Sequence, residues 1–224
     1  MRRNFILPIA LCALLGAAAT APAVAGNPPY TNAVAVQAEP SRVVQIALDR
    51  TFTLHERAKI LRAVNEWNTV LNGQIRLEIS ANDYDATTGA PPRTRAWTVA
   101  RIDSRNPMVG SAAMKRTLAM TFGTTTATVF VVIDRIGSRD LTGILMHEFG
   151  HALGAGHDSG SELMNPYYTG NKQGCIDKGA VVAVSSSQRL VLDGLNWCGG
   201  GTPADARTAE SDHKAQAIKT RARR

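Results

Sequence analysis

Long apolar runs are the first thing this sequence lacks. After residue 25 no segment approaches the roughly 18 uninterrupted apolar residues that a bilayer-spanning helix requires, so no transmembrane helix is expected there. Internal repetition is missing as well, which sets aside a solenoid or a repeat array. Cysteine and histidine are both scarce. The 224 residues include three cysteines, none between Gly26 and His147, and five histidines, of which only His55 and His213 lie outside one short stretch. Two scattered histidines cannot build a second histidine-rich metal site, and His55 reads as a residue of a helix's first turn.

Basic residues outnumber acidic ones, for a net charge of +7, but the surplus sits at the ends. Arg2 and Arg3 open the chain, and Gly199 to Arg224 carries six basic against three acidic side chains. The body between is close to neutral, so solubility and an unstructured tail explain the charge better than nucleic-acid binding; an electrostatic hold on an anionic envelope stays open. Met1-Arg2-Arg3, the apolar Phe5 to Ala19 and Ala23-Val24-Ala25 before Gly26 read together as a secretory signal peptide over residues 1–25. Arg2-Arg3 also admits a twin-arginine signal, with an ordinary basic n-region the preferred reading. The expectation is a bacterial protein secreted or exported to the periplasm. Cys12 leaves with the signal, and Cys175 and Cys198 are then expected to pair in an oxidising compartment.

About 200 residues remain after processing, enough for one domain with its own core. Residues 26–40, with Pro28-Pro29, are expected to be a flexible lead-in, 41–198 the domain and 199–224 a flexible basic tail. Val44, Ile46 and Leu48 alternate as one strand face. Thr53-Leu54-His55-Glu56 is a capping box that opens a helix striped by Ile60, Val64, Trp67 and Leu71, and Gly73 stops it. Ile75, Leu77 and Ile79 predict a half-buried strand, Ala96 to Ile102 a weaker one, and Leu118, Met120 and Phe122 another. Thr128 to Ile133 is continuously apolar and predicts a central strand buried on both faces, with a buried helix over Leu141 to Leu153. A last helix falls between Asp177 and Asn196, its start open between Asp177 and Ser185. Asp83 and Asp85 are candidate calcium ligands, although a solvated acidic turn is the simpler reading.

The densest chemistry lies in His147-Glu148-Phe149-Gly150-His151-Ala152-Leu153-Gly154-Ala155-Gly156-His157. At about 3.6 residues per turn, His147 and His151 project from one helix face and can reach one ion. Glu148 stands beside them, free to take a proton from an attacking water. Gly154 can adopt positive φ, end the helix and turn the chain back so that His157 becomes a third ligand. Three protein nitrogens leave a fourth position open for water, the arrangement of a catalytic zinc ion rather than a structural one.

This HExxHxxGxxH motif, followed by Ser161-Glu162-Leu163-Met164-Asn165-Pro166, resembles the metzincin clan of zinc endopeptidases. The resemblance implies that Met164 is the Met-turn methionine, an apolar floor beneath the metal. Met164-Asn165-Pro166-Tyr167-Tyr168 is similar to matrixins, where a Pro-x-Tyr walls the S1′ pocket; this implies pocket roles for Pro166 and Tyr168, with plain packing an equal alternative for Tyr168. Asp158 is similar instead to adamalysins, which leaves the subfamily open. Asn165-Pro166 before Tyr167 argues against a tyrosine ligand of the astacin kind, and no cysteine is placed to cap the zinc in a latent precursor. The implied fold is α+β: a twisted five-stranded mixed sheet with an active-site helix in an upper subdomain (41–154), and a smaller lower subdomain (155–198) with the Met-turn and final helix. Thr117 to Phe122 would be the edge strand that pairs with an extended substrate.

The resemblance therefore implies a monomeric endopeptidase that holds one zinc ion through His147, His151 and His157, uses Glu148 as general base and takes protein or peptide substrates. The alternative is a zinc-stabilised binding module on the same scaffold without turnover. Glu148 weighs for the enzyme, since a module needs no base.

Overall fold

Short-range chemistry decides where this chain bends. The structure, a computed structural model, describes residues 42–81, 83–85, 96–167, 174–192 and 195–198. The expected signal segment 1–25, the lead-in 26–40 and the tail 199–224 lie outside these residues, as do Ser41 and Tyr168. Strand β1 (Val43–Leu48) leads into helix α1 (Leu54–Leu71). The helix starts on the expected capping box: the Thr53 hydroxyl accepts the Glu56 N–H at 3.2 Å, and Glu56 Oε2 accepts the Thr53 N–H at 2.7 Å. Ile60, Val64, Trp67 and Leu71 bury one face, and the helix ends where Asn72 turns left-handed at φ 44°.

Four more strands follow: β2 (Arg76–Ile79), β3 (Trp97–Ile102), β4 (Ala119–Phe122) and β5 (Thr128–Val132). They form one sheet in the order β2-β1-β3-β5-β4, parallel except for β4, which runs antiparallel to β5 at one edge. The five-stranded mixed sheet expected from the resemblance is therefore present. At the opposite edge, Asn68 of α1 stands in for a missing neighbour. Its side-chain amide donates to Leu77 O at 2.9 Å and its oxygen accepts the Leu77 N–H at 2.8 Å, which satisfies outward backbone groups of β2.

The short helix α2 (Ile133–Ile136) turns the chain into α3 (Leu141–Ala152), and α4 (Lys178–Gln188) follows later. One core joins the sheet (Ile46, Val99, Val129), α1 (Val64, Trp67), α3 (Leu145, Phe149) and the lower part of the chain (Met164, Ile176, Val181). Trp67 fastens α1 to α3, its indole N–H donating to Met146 O at 2.9 Å within that core. Among the described residues no helix is long and apolar enough to cross a membrane.

One strand expectation needs correcting. The apolar run is an interior strand covered on both faces, between β3 and β4, but it ends at Val132, and Ile133 already belongs to α2. Both faces of β5 are apolar because each meets a different cover. Val129 and Val131 join the main core, while Val132 and half-buried Phe130 pack with Met120 and Val109 under the 103–118 loop. The ambiguity over the last helix is also settled: Asp177 caps it, accepting the Ala180 N–H at 3.1 Å, and Ser185 lies inside with its hydroxyl on Val182 O. Cys175 and Cys198 are bonded to each other, which ties residues 195–198 to the start of α4.

Candidate active site

Helix α3 is buried on almost every side and runs through the core rather than over it. Asp140 caps it, one carboxylate oxygen accepting the Thr142 N–H and the other the Gly143 N–H, both at 3.0 Å. At the far end the Gly154 N–H donates to His151 O (2.8 Å) and the Ala155 N–H to Gly150 O (2.9 Å), the paired bonds of a Schellman motif. Gly154 has φ +92°, and a Cβ there would stand 2.0 Å from Ser187 Oγ. The turn thus needs glycine for its dihedral and for the approach of α4. Beyond it the chain returns to His157.

Three imidazoles converge on one point. His151 Nε2 lies 3.0 Å from His147 Nε2 and 3.2 Å from His157 Nε2, and a ring nitrogen from each falls within a 4.8 Å group. His147 Nδ1 lies 2.6 Å from Leu163 O, and His151 Nδ1 lies 2.8 Å from Ala155 O. A carbonyl can only accept, so in both rings Nδ1 carries the proton and Nε2 keeps its lone pair. Lone pairs that face each other at 3.0 Å cannot bond to one another; a shared cation satisfies them. Zinc–nitrogen bonds of about 2.0–2.1 Å in a tetrahedron set nitrogens about 3.3 Å apart, close to the spacing present.

The turn that follows is built from side chains of the lower half. Asp158 N–H donates to Met164 O at 2.9 Å and closes the loop. Asp177 accepts the Ser161 hydroxyl at 2.9 Å and the Leu163 N–H at 2.7 Å, and Ser161 Oγ accepts the Met164 N–H at 2.9 Å. One carboxylate therefore caps α4 and fixes the loop whose Leu163 carbonyl orients His147. Met164 is fully buried against α3, where a Cβ on Gly150 would come within 2.6 Å of its sulfur.

A family model described as matrixin, a peptidase family, matches residues 48–186, a span that includes the three imidazoles, Glu148 and Met164. The chain belongs to the matrixin family. The resemblance to metzincins is borne out, and the subfamily left open by Asp158 is settled with it. No curated protein matches the chain. Among solved structures, high choriolytic enzyme 1, a hatching-enzyme zinc protease from the medaka fish Oryzias latipes, is similar at 20% identity and a TM-score of 0.31. That match covers 51% of this chain, and this chain spans 44% of that one.

Electrostatics of the matrixin site follow from burial. Burial pushes the His147 imidazole down to about 4, against the pull of the Leu163 carbonyl, with the neighbouring imidazoles adding to the effect. Burial also lowers His151. Both rings are neutral at pH 7, the state a metal ligand needs. Glu148 is pushed up to about 7 by the same cause, the Thr121 hydroxyl opposing it. That hydroxyl lies 2.6 Å from Glu148 Oε2 and 3.1 Å from Glu148 O, which pins the carboxylate to β4.

The three imidazoles and Glu148 open into one cleft of about 1060 Å³, walled by Leu118 and the β4 residues Ala119, Met120 and Thr121 on one side and by Leu163, Asn165 and Pro166 on another. Gly143 and Ile144 of α3 also line it. Of the residues anticipated for a specificity pocket, Pro166 is there, exposed, and Tyr168 lies outside the described residues. Asp83 and Asp85 are taken up by arginines: Arg57 donates to both Asp83 oxygens at 2.8 and 2.7 Å, and Arg50 pairs with Asp85 at 2.5 Å. The supporting roles of four residues escaped the sequence reading. Thr121 had a signal, a polar residue inside an apolar alternation; Gly150 had another, since glycine inside a helix is unfavourable unless something packs close. Ser161 and Asp177 gave none for their joint role, because their pairing spans 16 residues.

Proposed function

We propose that this matrixin is an exported zinc endopeptidase, in which His147, His151 and His157 hold one zinc ion and Glu148 is the general base for hydrolysis of peptide bonds in proteins. The observation that carries the reading is the union, in one cleft, of three convergent imidazoles with a buried carboxylate pushed up to about 7. Zinc, when bound, supplies Lewis acidity that polarises the scissile carbonyl and lowers the pKa of a water towards neutrality. Glu148, held by Thr121, takes the proton of the attacking water and returns it to the leaving amine. No covalent intermediate on the protein is required.

Met164 serves as the apolar floor, and its seat against Gly150 supports that role. The outer edge of β4 offers backbone N–H and C=O groups to an extended peptide, a mode of binding that tolerates many sequences. Side-chain preference is assigned to the wall of Ile144, Leu163 and Pro166. Residues 1–25 are assigned as the export signal, and the Cys175–Cys198 bond agrees with an oxidising destination. Purified protein is expected to contain one zinc per chain and to degrade casein, with a chelator stopping cleavage and added zinc restoring it. Zinc bound at that stoichiometry with no cleavage of casein or of a diverse peptide library would overturn this reading in favour of a binding module.

A further inference from the structure

One end of the cleft is charged. Lys115, Arg116, Arg135 and Arg139 all line it, against only two carboxylates, Glu148 and Glu162. Hydrogen bonds gather the four cations in one place. The Arg135 guanidinium donates to Met114 O at 2.6 Å and Thr117 O at 3.2 Å, and so lies against the loop that carries Lys115 and Arg116 into β4. Arg139 donates to Arg135 O at 3.0 Å. These acceptors are neutral carbonyls and leave the charge uncompensated. None of the six ion pairs among the described residues engages any of the four. Lys115, Arg116 and Arg139 are exposed, so the field reaches into the cleft at the N-terminal end of β4.

On the peptidase reading above, we propose that this cluster selects substrates with acidic side chains among the first few residues after the cut bond. A peptide that adds to the β4 edge in the antiparallel sense runs opposite to the strand. Its scissile bond lies at the level of Thr121 and Glu148, which are joined by a hydrogen bond, and the residues that follow pass Leu118 and then Arg116 and Lys115. An aspartate or glutamate there meets cations, and a lysine or arginine meets like charge. Ile144 and Leu163 keep the pocket behind the metal apolar, so acidity is read along the rim and not at the pocket's base. Exposed pairs are individually weak and screened by salt. The expected discrimination is therefore about tenfold in kcat/KM between glutamate and lysine at low ionic strength, shrinking as salt is raised.

The test uses the full zinc-loaded protein and internally quenched peptides that differ only in carrying Glu, Gln or Lys at those positions. Wild type is expected to rank them Glu, Gln, Lys, and the double variant K115E/R116E to reverse the order. Equal rates for the three in wild type, or a Glu-to-Lys ratio untouched by the double variant, would overturn the proposal. Binding of the same labelled peptides to E148Q, read by fluorescence anisotropy, separates this from the hydrolytic reading. Tighter binding of the Glu peptide without hydrolysis by wild type upholds the charge selection and sinks the catalytic assignment. Hydrolysis with equal binding of all three does the reverse.

Discussion

Alanine at Gly150 is the substitution on which helix propensity and packing disagree most sharply. By propensity alone, Gly→Ala inside a helix stabilises by about 1 kcal/mol. Here the added Cβ would stand 2.6 Å from Met164 Sδ, 3.1 Å from its Cε and 3.4 Å from Trp67 Cζ2. Met164 is fully buried, and its backbone is held by Ser161 Oγ and by the Asp158 N–H, so the thioether has no open side to retreat into. Overpacking of this kind costs about 1–3 kcal/mol. After the propensity gain is subtracted, Gly150→Ala is expected to destabilise the fold by about 0–2 kcal/mol, a drop in Tm of up to about 8 °C for a domain of this size, where propensity alone would raise it. Urea denaturation followed by tryptophan fluorescence reads it, at one fixed zinc concentration, because a ligand that binds only the folded state shifts apparent stability. Met164→Ala should cost about 2–5 kcal/mol through the cavity it leaves. The double variant should lose at least about 1 kcal/mol less than the sum, since each change relieves the other. A Gly150→Ala protein stabilised by the full propensity gain of about 1 kcal/mol, or strict additivity in the pair, refutes the close seating of Met164 under the helix.

Thr121→Val removes the hydrogen bond that opposes the upward shift of Glu148, so the carboxylate should move further up and the acidic limb of the kcat/KM profile should shift to higher pH; an unmoved limb contradicts the pinning. Asp177→Ala loses the α4 cap together with the acceptor for Ser161 and Leu163. It should cost about 2–3 kcal/mol in urea denaturation. It should also weaken zinc in a competition titration, because the Leu163 carbonyl that steers His147 is loosened. Replacing Cys175 and Cys198 by serine opens a loop of 23 residues' separation, for which chain entropy gives a loss of about 3 kcal/mol, read as a lower urea midpoint relative to the oxidised protein. Glu56 is raised by burial, but hydrogen bonds from the Thr53 N–H and from Arg101 outweigh this and hold it below its usual range. Its contribution is therefore present above the ordinary carboxylate pKa and lost as pH falls through the lower folded value. Wild type and Glu56→Gln should differ in stability at neutral pH and converge in acid.

Where local spacing carries the information, the sequence was readable. The capping box at Thr53, the stripe of α1, the alternation of Leu77 and Ile79 and the offsets from His147 to His157 each follow from one helix or strand period, and the structure brings the three imidazoles together as those offsets imply. What covers Thr128–Val132 was not readable, because an apolar run says that both faces are covered but not by what. Here a loop covers the second face and β4 lies beyond it. The support of the site was hidden for the same reason. Asp177 reaches Ser161 and Leu163, Thr121 reaches Glu148, and Gly150 makes room for Met164, all across the fold and without a local pattern. The charged rim was also out of view, since Lys115, Arg116, Arg135 and Arg139 meet only once Arg135 has bonded to the loop before β4.

The central claim is that Glu148 moves the proton at a zinc site held by His147, His151 and His157. Its most direct test is casein cleavage by Glu148→Gln beside wild type, with zinc content measured in both. The account expects one zinc per chain in each protein, chelator-sensitive cleavage by wild type, and loss of cleavage in the variant. Undiminished cleavage by a zinc-loaded Glu148→Gln protein would contradict it.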